Sequence, residues 1–214
     1  MQLILVRHGE TTANLDKKVY LETADHAVPL SPEGHRQALV TGDRISQHLV
    51  SQALSGPVRV WSSPYHRTRQ TAQHIRERLG FNQIEHDYCE HINLCEQQYG
   101  LFDGIPDEEL HLHYPAEAAH YVKCEKHEGK FWARMPLGES RFDVAVRVHQ
   151  AFGTWHRDAQ RHGIENLVVV CHGVTLRAIV MQWLHLTPEW FEAEKNPANG
   201  SIRIINDNTD LGYL

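Results

Sequence analysis

The sequence predicts an α/β fold: a three-layer α/β/α sandwich around a mainly parallel central sheet. Three observations carry that expectation. Short apolar runs alternate with longer stretches of helical period, the pattern of crossover units on a parallel sheet. Two of the runs, residues 3–6 and 167–171, are apolar at every position, as strands covered by helices on both faces require. Both run straight into a His-Gly pair, His8-Gly9 and His172-Gly173. In a parallel sheet the strand C-termini open on one edge, where ligands bind, so the two pairs are expected to share a pocket.

Taken in order, strands are expected at residues 3–6, 57–61, 84–88, 167–171 and 201–205. Ser31-Pro32-Glu33 supplies a cap and a proline at the first helical position for a helix running to about His48. Ser63-Pro64 is read the same way, for a helix to about Leu79. Ser140, with Asp143 three residues on, forms a box-like cap for a helix to about His162. Arg161-His162-Gly163 repeats the letters of Arg7-His8-Gly9 but lies before its strand, on the opposite edge, and is read as a helix-end turn with Gly163 in the left-handed conformation. Residues 96–135 mix Gly, Pro, His and acidic residues and are read as an excursion over the active edge, a lid. No linker or repeat divides residues 1–214, which are read as one domain.

The 214 residues carry a formal charge of −6, with 21 Lys and Arg against 27 Asp and Glu. That balance argues against nucleic acid or an anionic membrane as partner. No apolar run approaches the roughly 20 residues of a membrane span, and a strand begins within two residues of Met1, so a cytoplasmic protein is expected. Four cysteines without a CxxC pair fit a reducing compartment. His111, His113, His120, Cys124 and His127 crowd one segment, but their spacing matches no standard zinc pattern, and no metal or other cofactor is expected. Trp183 and Trp190 are read either as a homodimer interface or as a packed C-terminal helix.

Two imidazoles and an arginine in one pocket suit a phosphoryl group. Around them the chain carries RHGETTAN, LSPEGHRQA, SPYHRTRQT, LCEQQYG and CHG in that order. These motifs resemble those of the histidine phosphatase superfamily, the phosphoglycerate mutase-like clan, over nearly the whole chain. A further stretch, FWARMPLGESRFDVAVRV, is similar to the small-phosphatase branch. The resemblance implies that His8 is the nucleophile that becomes phosphorylated. It implies that Arg7, Arg67 and His172 surround the phosphoryl group, that Asn14 and the Gly173 N–H add contacts, and that Glu96 is the general acid. The chemistry agrees: a neutral imidazole is a good nucleophile near pH 7, and neighbouring cations lower its pKa. Tyr20, Arg134 and the aromatic residues Tyr99, Phe102, Phe131 and Trp132 are candidates for the non-transferred part of a small phosphorylated substrate. Arg134 is weighed evenly between a second anionic group and a lid salt bridge with a neighbouring glutamate.

The chain departs from the pattern in places. Phe102-Asp103 replace a Trp-Glu pair and Ala27 replaces an Asp, neither expected to touch the chemistry. After Gly104 the Gly-Leu-Asn-Lys continuation of cofactor-dependent mutases is replaced by Ile-Pro-Asp-Glu-Glu, which favours hydrolysis over phosphoryl transfer between metabolites. A non-catalytic phospho-ligand sensor would be expected to have lost His8 or Glu96, and both are present. Cys171 to Arg177 has the C-x5-R spacing of thiolate phosphatases but lacks their flanking residues, so Cys171 is read as core and Arg177 as an ordinary helix residue.

Overall fold

A computed structural model describes residues 1–52 and 56–214. The strands are β1 Gln2–Arg7, β2 Val58–Ser62, β3 His86–Glu90, β4 Asn166–Cys171, β5 Ile202–Asn206 and β6 Thr209–Tyr213. The α-helices are α1 Thr12–Leu15, α2 Pro32–Ser51, α3 His66–Phe81, α4 Leu110–His113, α5 Pro115–Glu128, α6 Arg141–His162, α7 Gly173–Trp183 and α8 Pro188–Ala193. The strands form one sheet in the order β3-β2-β4-β1-β5-β6. Pairings among β1 to β4 are parallel, while β5 runs antiparallel to β1 and β6 antiparallel to β5.

Both faces of the sheet are covered, as the uninterrupted apolar strands require. Leu3, Leu5, Leu167 and Val169 point into a core shared with α6 and α7, including the fully buried Trp155 and Phe191. Ile4, Val6, Val168 and Val170 point the other way, against Ile45, Leu49, Ile75 and Leu79 of α2 and α3. Burying each such side chain stabilises the fold by about 1.5–3 kcal/mol.

The caps at α2 and α6 form as expected. Ser31 Oγ accepts from Gly34 N at 3.0 Å, and Ser140 and Asp143 close a reciprocal capping box. Gly163 ends α6 at φ 65°, so the second Arg-His-Gly is a helix-end turn. The Ser63-Pro64 expectation is corrected. The α3 N-cap is Tyr65, and Ser63 spends its hydroxyl elsewhere. Strand β6 was not anticipated; Asp207, at φ 50°, turns the chain back from β5 into a hairpin. Trp183 and Trp190 are partly buried against the α6–α7 core, and Trp183 donates to the Asp207 carbonyl at 2.7 Å.

The excursion is largely helical, with α4 and α5 inside it, and has a hydrogen-bonded neck. Glu139 N donates to Gln98 O at 2.8 Å and Leu101 N to Pro136 O at 3.0 Å. Two motif glycines make this approach feasible. A Cβ on Gly100 would lie 2.2 Å from Pro136 O, and one on Gly138 would lie 2.4 Å from Gln98 O.

Candidate active site

Register places the centre of the site. In the parallel β1–β4 pair Arg7 lies opposite Cys171, so the next residues, His8 and His172, leave the sheet side by side. His8 N donates to Cys171 O at 3.0 Å, and the two imidazole centroids are 5.2 Å apart. The loop after β1 is pressed onto the start of α2, since a Cβ on Gly34 would lie 1.9 Å from Glu10 O. Ser31 Oγ also donates to Glu10 Oε1 at 2.7 Å, tying the acid after Arg7-His8-Gly9 to the α2 cap.

His8 is buried, and its Nδ1 lies 2.7 Å from Gly9 O. A carbonyl only accepts, so Nδ1 carries the proton and Nε2 keeps its lone pair. Burial, then Arg67, holds the His8 pKa well below its usual range, and His172 is lowered by the same two causes. Both rings are neutral near pH 7.

Arg67 lies in the first turn of α3, 5% exposed. Its Nε donates to His172 Nδ1 at 3.3 Å, and His172 Nε2 is 2.8 Å from Ser63 Oγ. With Nδ1 accepting, the His172 proton sits on Nε2 and is given to Ser63. Both His172 nitrogens are thus engaged within the chain, and a direct contact with an anion requires the Ser63 bond to be exchanged. The outer nitrogens of Arg67 meet Asp25, at 2.8 Å from NH1 to Oδ1 and 2.6 Å from NH1 to the carbonyl. Arg7 donates from NH1 to Pro197 O; burial lowers its pKa and Glu96 opposes that shift.

Glu96 sits on the N-terminus of α7. Its Oε2 accepts from Val174 N at 3.2 Å, and its Oε1 accepts from Thr175 N at 3.2 Å and Thr175 Oγ1 at 3.1 Å. These bonds hold both carboxyl oxygens against the orphan N–H groups at the start of α7. Gly173 opens the same helix, and a Cβ on it would lie 2.2 Å from Asn196 Oδ1. Asn14 completes the capping box of its own short helix, whose N-cap is Thr11: its Oδ1 accepts from Thr11 N at 2.9 Å and Thr11 Oγ1 at 3.0 Å, leaving the amide N–H2 as its unused end. Asn199 Nδ2 ties the region together, 3.1 Å from His8 O and 3.5 Å from Asn14 Oδ1.

Tyr20, Tyr99 and Phe102 line a cavity of about 560 Å³ with Tyr121, Asp103 and Arg141. The Tyr20 phenol is raised by burial and by Asp25, so it is a neutral donor. Asp103 lines this cavity, where burial and then Asp25 raise its pKa, and none of His8, Arg7, Arg67, Glu96 and His172 is among the cavity's lining residues. For Arg134 the structure shows the salt-bridge alternative, with an aspartate in place of a glutamate. Arg134 is exposed, bonded to Asp143 Oδ1 at 2.6 Å, and lines a different cavity with His120 and Cys124. The arginine in the first cavity is Arg141. Phe131 is core against Phe191, and Trp132 is 45% exposed, so neither joins Tyr20.

Cys171 is fully buried, and burial pushes its thiol far up, so it is no thiolate nucleophile. Arg177 is not ordinary: it is 8% exposed, lies 4.5 Å over the Phe191 ring and donates to Glu194 O at 3.0 Å, fastening α7 to α8. Among the described residues no three His, Cys, Asp or Glu side chains converge as a metal site. No helix of the described residues is long and apolar enough to cross a membrane.

The histidine phosphatase superfamily (branch 1) model matches residues 3–211. Two phosphoglycerate mutase-like proteins of Arabidopsis thaliana are 32% and 30% identical over 95% of this chain. The chain spans 64% of the first relative's length and 73% of the second's. A 2,3-bisphosphoglycerate-dependent phosphoglycerate mutase of Brucella anthropi is 28% identical over 95% of this chain and 90% of its own. Among solved structures, a mycobacterial glucosyl-3-phosphoglycerate phosphatase in complex with VO3 superposes with a TM-score of 0.74 at 21% identity, covering 100% of this chain and 96% of that one. The α-ribazole phosphatase of Shigella flexneri superposes at 0.70 with 21% identity over 98% and 93% of the two chains. The matched motifs, the six-stranded sheet and the paired His-Gly turns have one common explanation: the chain belongs to branch 1 of the histidine phosphatase superfamily.

Proposed function

We propose that the chain hydrolyses phosphate monoesters of small cytosolic metabolites through a phosphohistidine on His8, without a metal ion. The observation that carries this reading is the state of His8: buried, neutral, with its Nδ1 proton given to Gly9 O and its Nε2 lone pair free. In the first step Nε2 bonds to phosphorus, the ester P–O bond breaks, and the leaving oxygen takes a proton from the Glu96 carboxyl. Arg7 and Arg67 offset charge on the equatorial oxygens, with His172 holding Arg67 or exchanging its Ser63 bond for a phosphoryl oxygen. In the second step Glu96 takes a proton from water, the hydroxide bonds to phosphorus, and the P–N bond breaks to return neutral His8 and inorganic phosphate. Asn14 and the Gly173 N–H are assigned to the phosphoryl group, and Tyr20 to the leaving group. Four free cysteines support a reducing compartment.

A mutase reading is favoured by the names of several relatives, and it differs in the acceptor of the second step. One experiment separates the two: a screen of sugar phosphates, phosphoglycerates, nucleotides and phosphoamino acids, with and without a chelator. Hydrolysis predicts inorganic phosphate from at least one class, undiminished by EDTA. Transfer to a second metabolite without phosphate release would replace this reading, and a loss with EDTA reversed by one metal ion would remove metal independence.

A further inference from the structure

The cation best placed to meet a phosphoryl group beside the two histidines is already largely occupied. A guanidinium has five N–H donors. In Arg67, Nε is given to His172 Nδ1 at 3.3 Å, and NH1 to both the carbonyl and Oδ1 of Asp25 at 2.6 and 2.8 Å. NH2 reaches Asp25 Oδ2 only at 3.4 Å, so one edge of the fork is clamped and the other loosely held. Paired forks normally bond at about 2.7–2.9 Å on both arms. The contact is shielded: the Arg67 side chain is 6% exposed and that of Asp25 23%. Asp25 opens the short 3-10 turn Asp25–Ala27, which precedes α2 and reaches across to α3.

The lopsided fork has a chemical consequence. A phosphoryl oxygen can replace Asp25 Oδ2 on NH2 while NH1 stays clamped, and the dianion then shares one guanidinium with a carboxylate. Like charges around a shared cation reduce its hold on each. Inorganic phosphate, the released product, presents its charge on the oxygens that meet this fork, so its binding is weakened in this way.

We propose that Asp25 is a resident counter-anion of Arg67, a positioning residue that holds its NH1 edge and weakens the site's grip on inorganic phosphate, easing product release. The proposal rests on the phosphatase reading for its purpose, but its test needs no turnover. Inorganic phosphate is titrated calorimetrically into the wild type, Asp25→Asn, Arg67→Gln and the double variant. Asn keeps an acceptor for NH1 and removes the charge, so it should bind phosphate about tenfold more tightly. In the Arg67→Gln background the same change should have less than about a twofold effect, because Asp25 acts through Arg67. Asp25→Ser removes the charge by a second route and should also tighten binding; Asp25→Glu keeps the charge and should not. Equal or weaker phosphate binding by the Asn and Ser variants would overturn the proposal, as would a tenfold gain that persists without Arg67, or no phosphate binding by any form. A wild type that binds phosphate yet hydrolyses no ester would count against the hydrolase reading and leave this comparison standing.

Discussion

Arg67 Nε donates to His172 Nδ1 across 3.3 Å, and that single contact fixes which nitrogen of His172 carries the proton. Nδ1 must accept, so Nε2 donates to Ser63 Oγ at 2.8 Å. A helix that begins at His66 and a strand that ends at Cys171 are joined at the site by this chain of donors. Arg67→Lys keeps the charge but loses the fork that serves His172 and the anion together. It should lower kcat/KM by about 10²–10³, the usual cost of one misplaced anion-stabilising donor. Steady-state kinetics on any hydrolysed ester will check this, and a loss below about threefold would mean that the charge alone suffices.

Acidification should destabilise the fold through His8 and His172. Burial, then Arg67, lowers both pKa values well below 6.5, so the folded state keeps these rings neutral where the unfolded chain takes up protons. The stabilisation is therefore present above pH 6.5 and is lost as the pH falls below it, at up to about 1.4 kcal/mol per pH unit for each ring. Denaturant unfolding at pH 7.5 and 5.5 should show a shallower pH dependence in His172→Asn than in the wild type. Identical slopes would mean that the ring is not held neutral.

The neck of the excursion should control Glu96. A Cβ on Gly138 would lie 2.4 Å from Gln98 O and 2.9 Å from Gly100 N, so Gly138→Ala must push residues 98–100 away. The expected cost is about 1–3 kcal/mol of stability, with a fall in kcat as Glu96 shifts from the α7 N-terminus. Thermal unfolding and kinetics measured together test both, and an unchanged kcat would separate the neck from the acid.

Glu96→Gln should divide substrates by leaving group. Alkyl phosphates, whose oxygen must be protonated to leave, should react more slowly by about 10²–10⁴. An aryl ester such as p-nitrophenyl phosphate should still phosphorylate the enzyme and give a burst of nitrophenolate about equal to the enzyme present, followed by slow turnover. Equal slowing of both without a burst would make Glu96 an orienting residue.

What the sequence shows and hides follows from the range of the interactions. Strand positions, the α2 and α6 caps and the meeting of His8 with His172 are legible because they depend on local period and on the rule that parallel strands share an edge. Asp25 and Asn199 were invisible. Their importance lies in contacts to Arg67, 42 residues away, and to the His8 carbonyl, 191 residues away, which no local pattern encodes. Ser63 misled because a Ser-Pro pair before a helix is a good cap signal, yet its hydroxyl is taken by His172 at a separation of 109 residues. Arg134 was legible only as an alternative, and the partner it has, Asp143, is short-range and belongs to the α6 capping box.

The central claim is covalent catalysis by His8, and trapping the intermediate tests it most directly. Enzyme mixed with ³²P-labelled substrate and quenched in denaturant should carry phosphate that is labile in acid and stable in base, on the peptide containing His8. The account predicts that His8→Ala carries none and that Cys171→Ser carries the wild-type amount. Label retained by His8→Ala, or lost in Cys171→Ser, would contradict it.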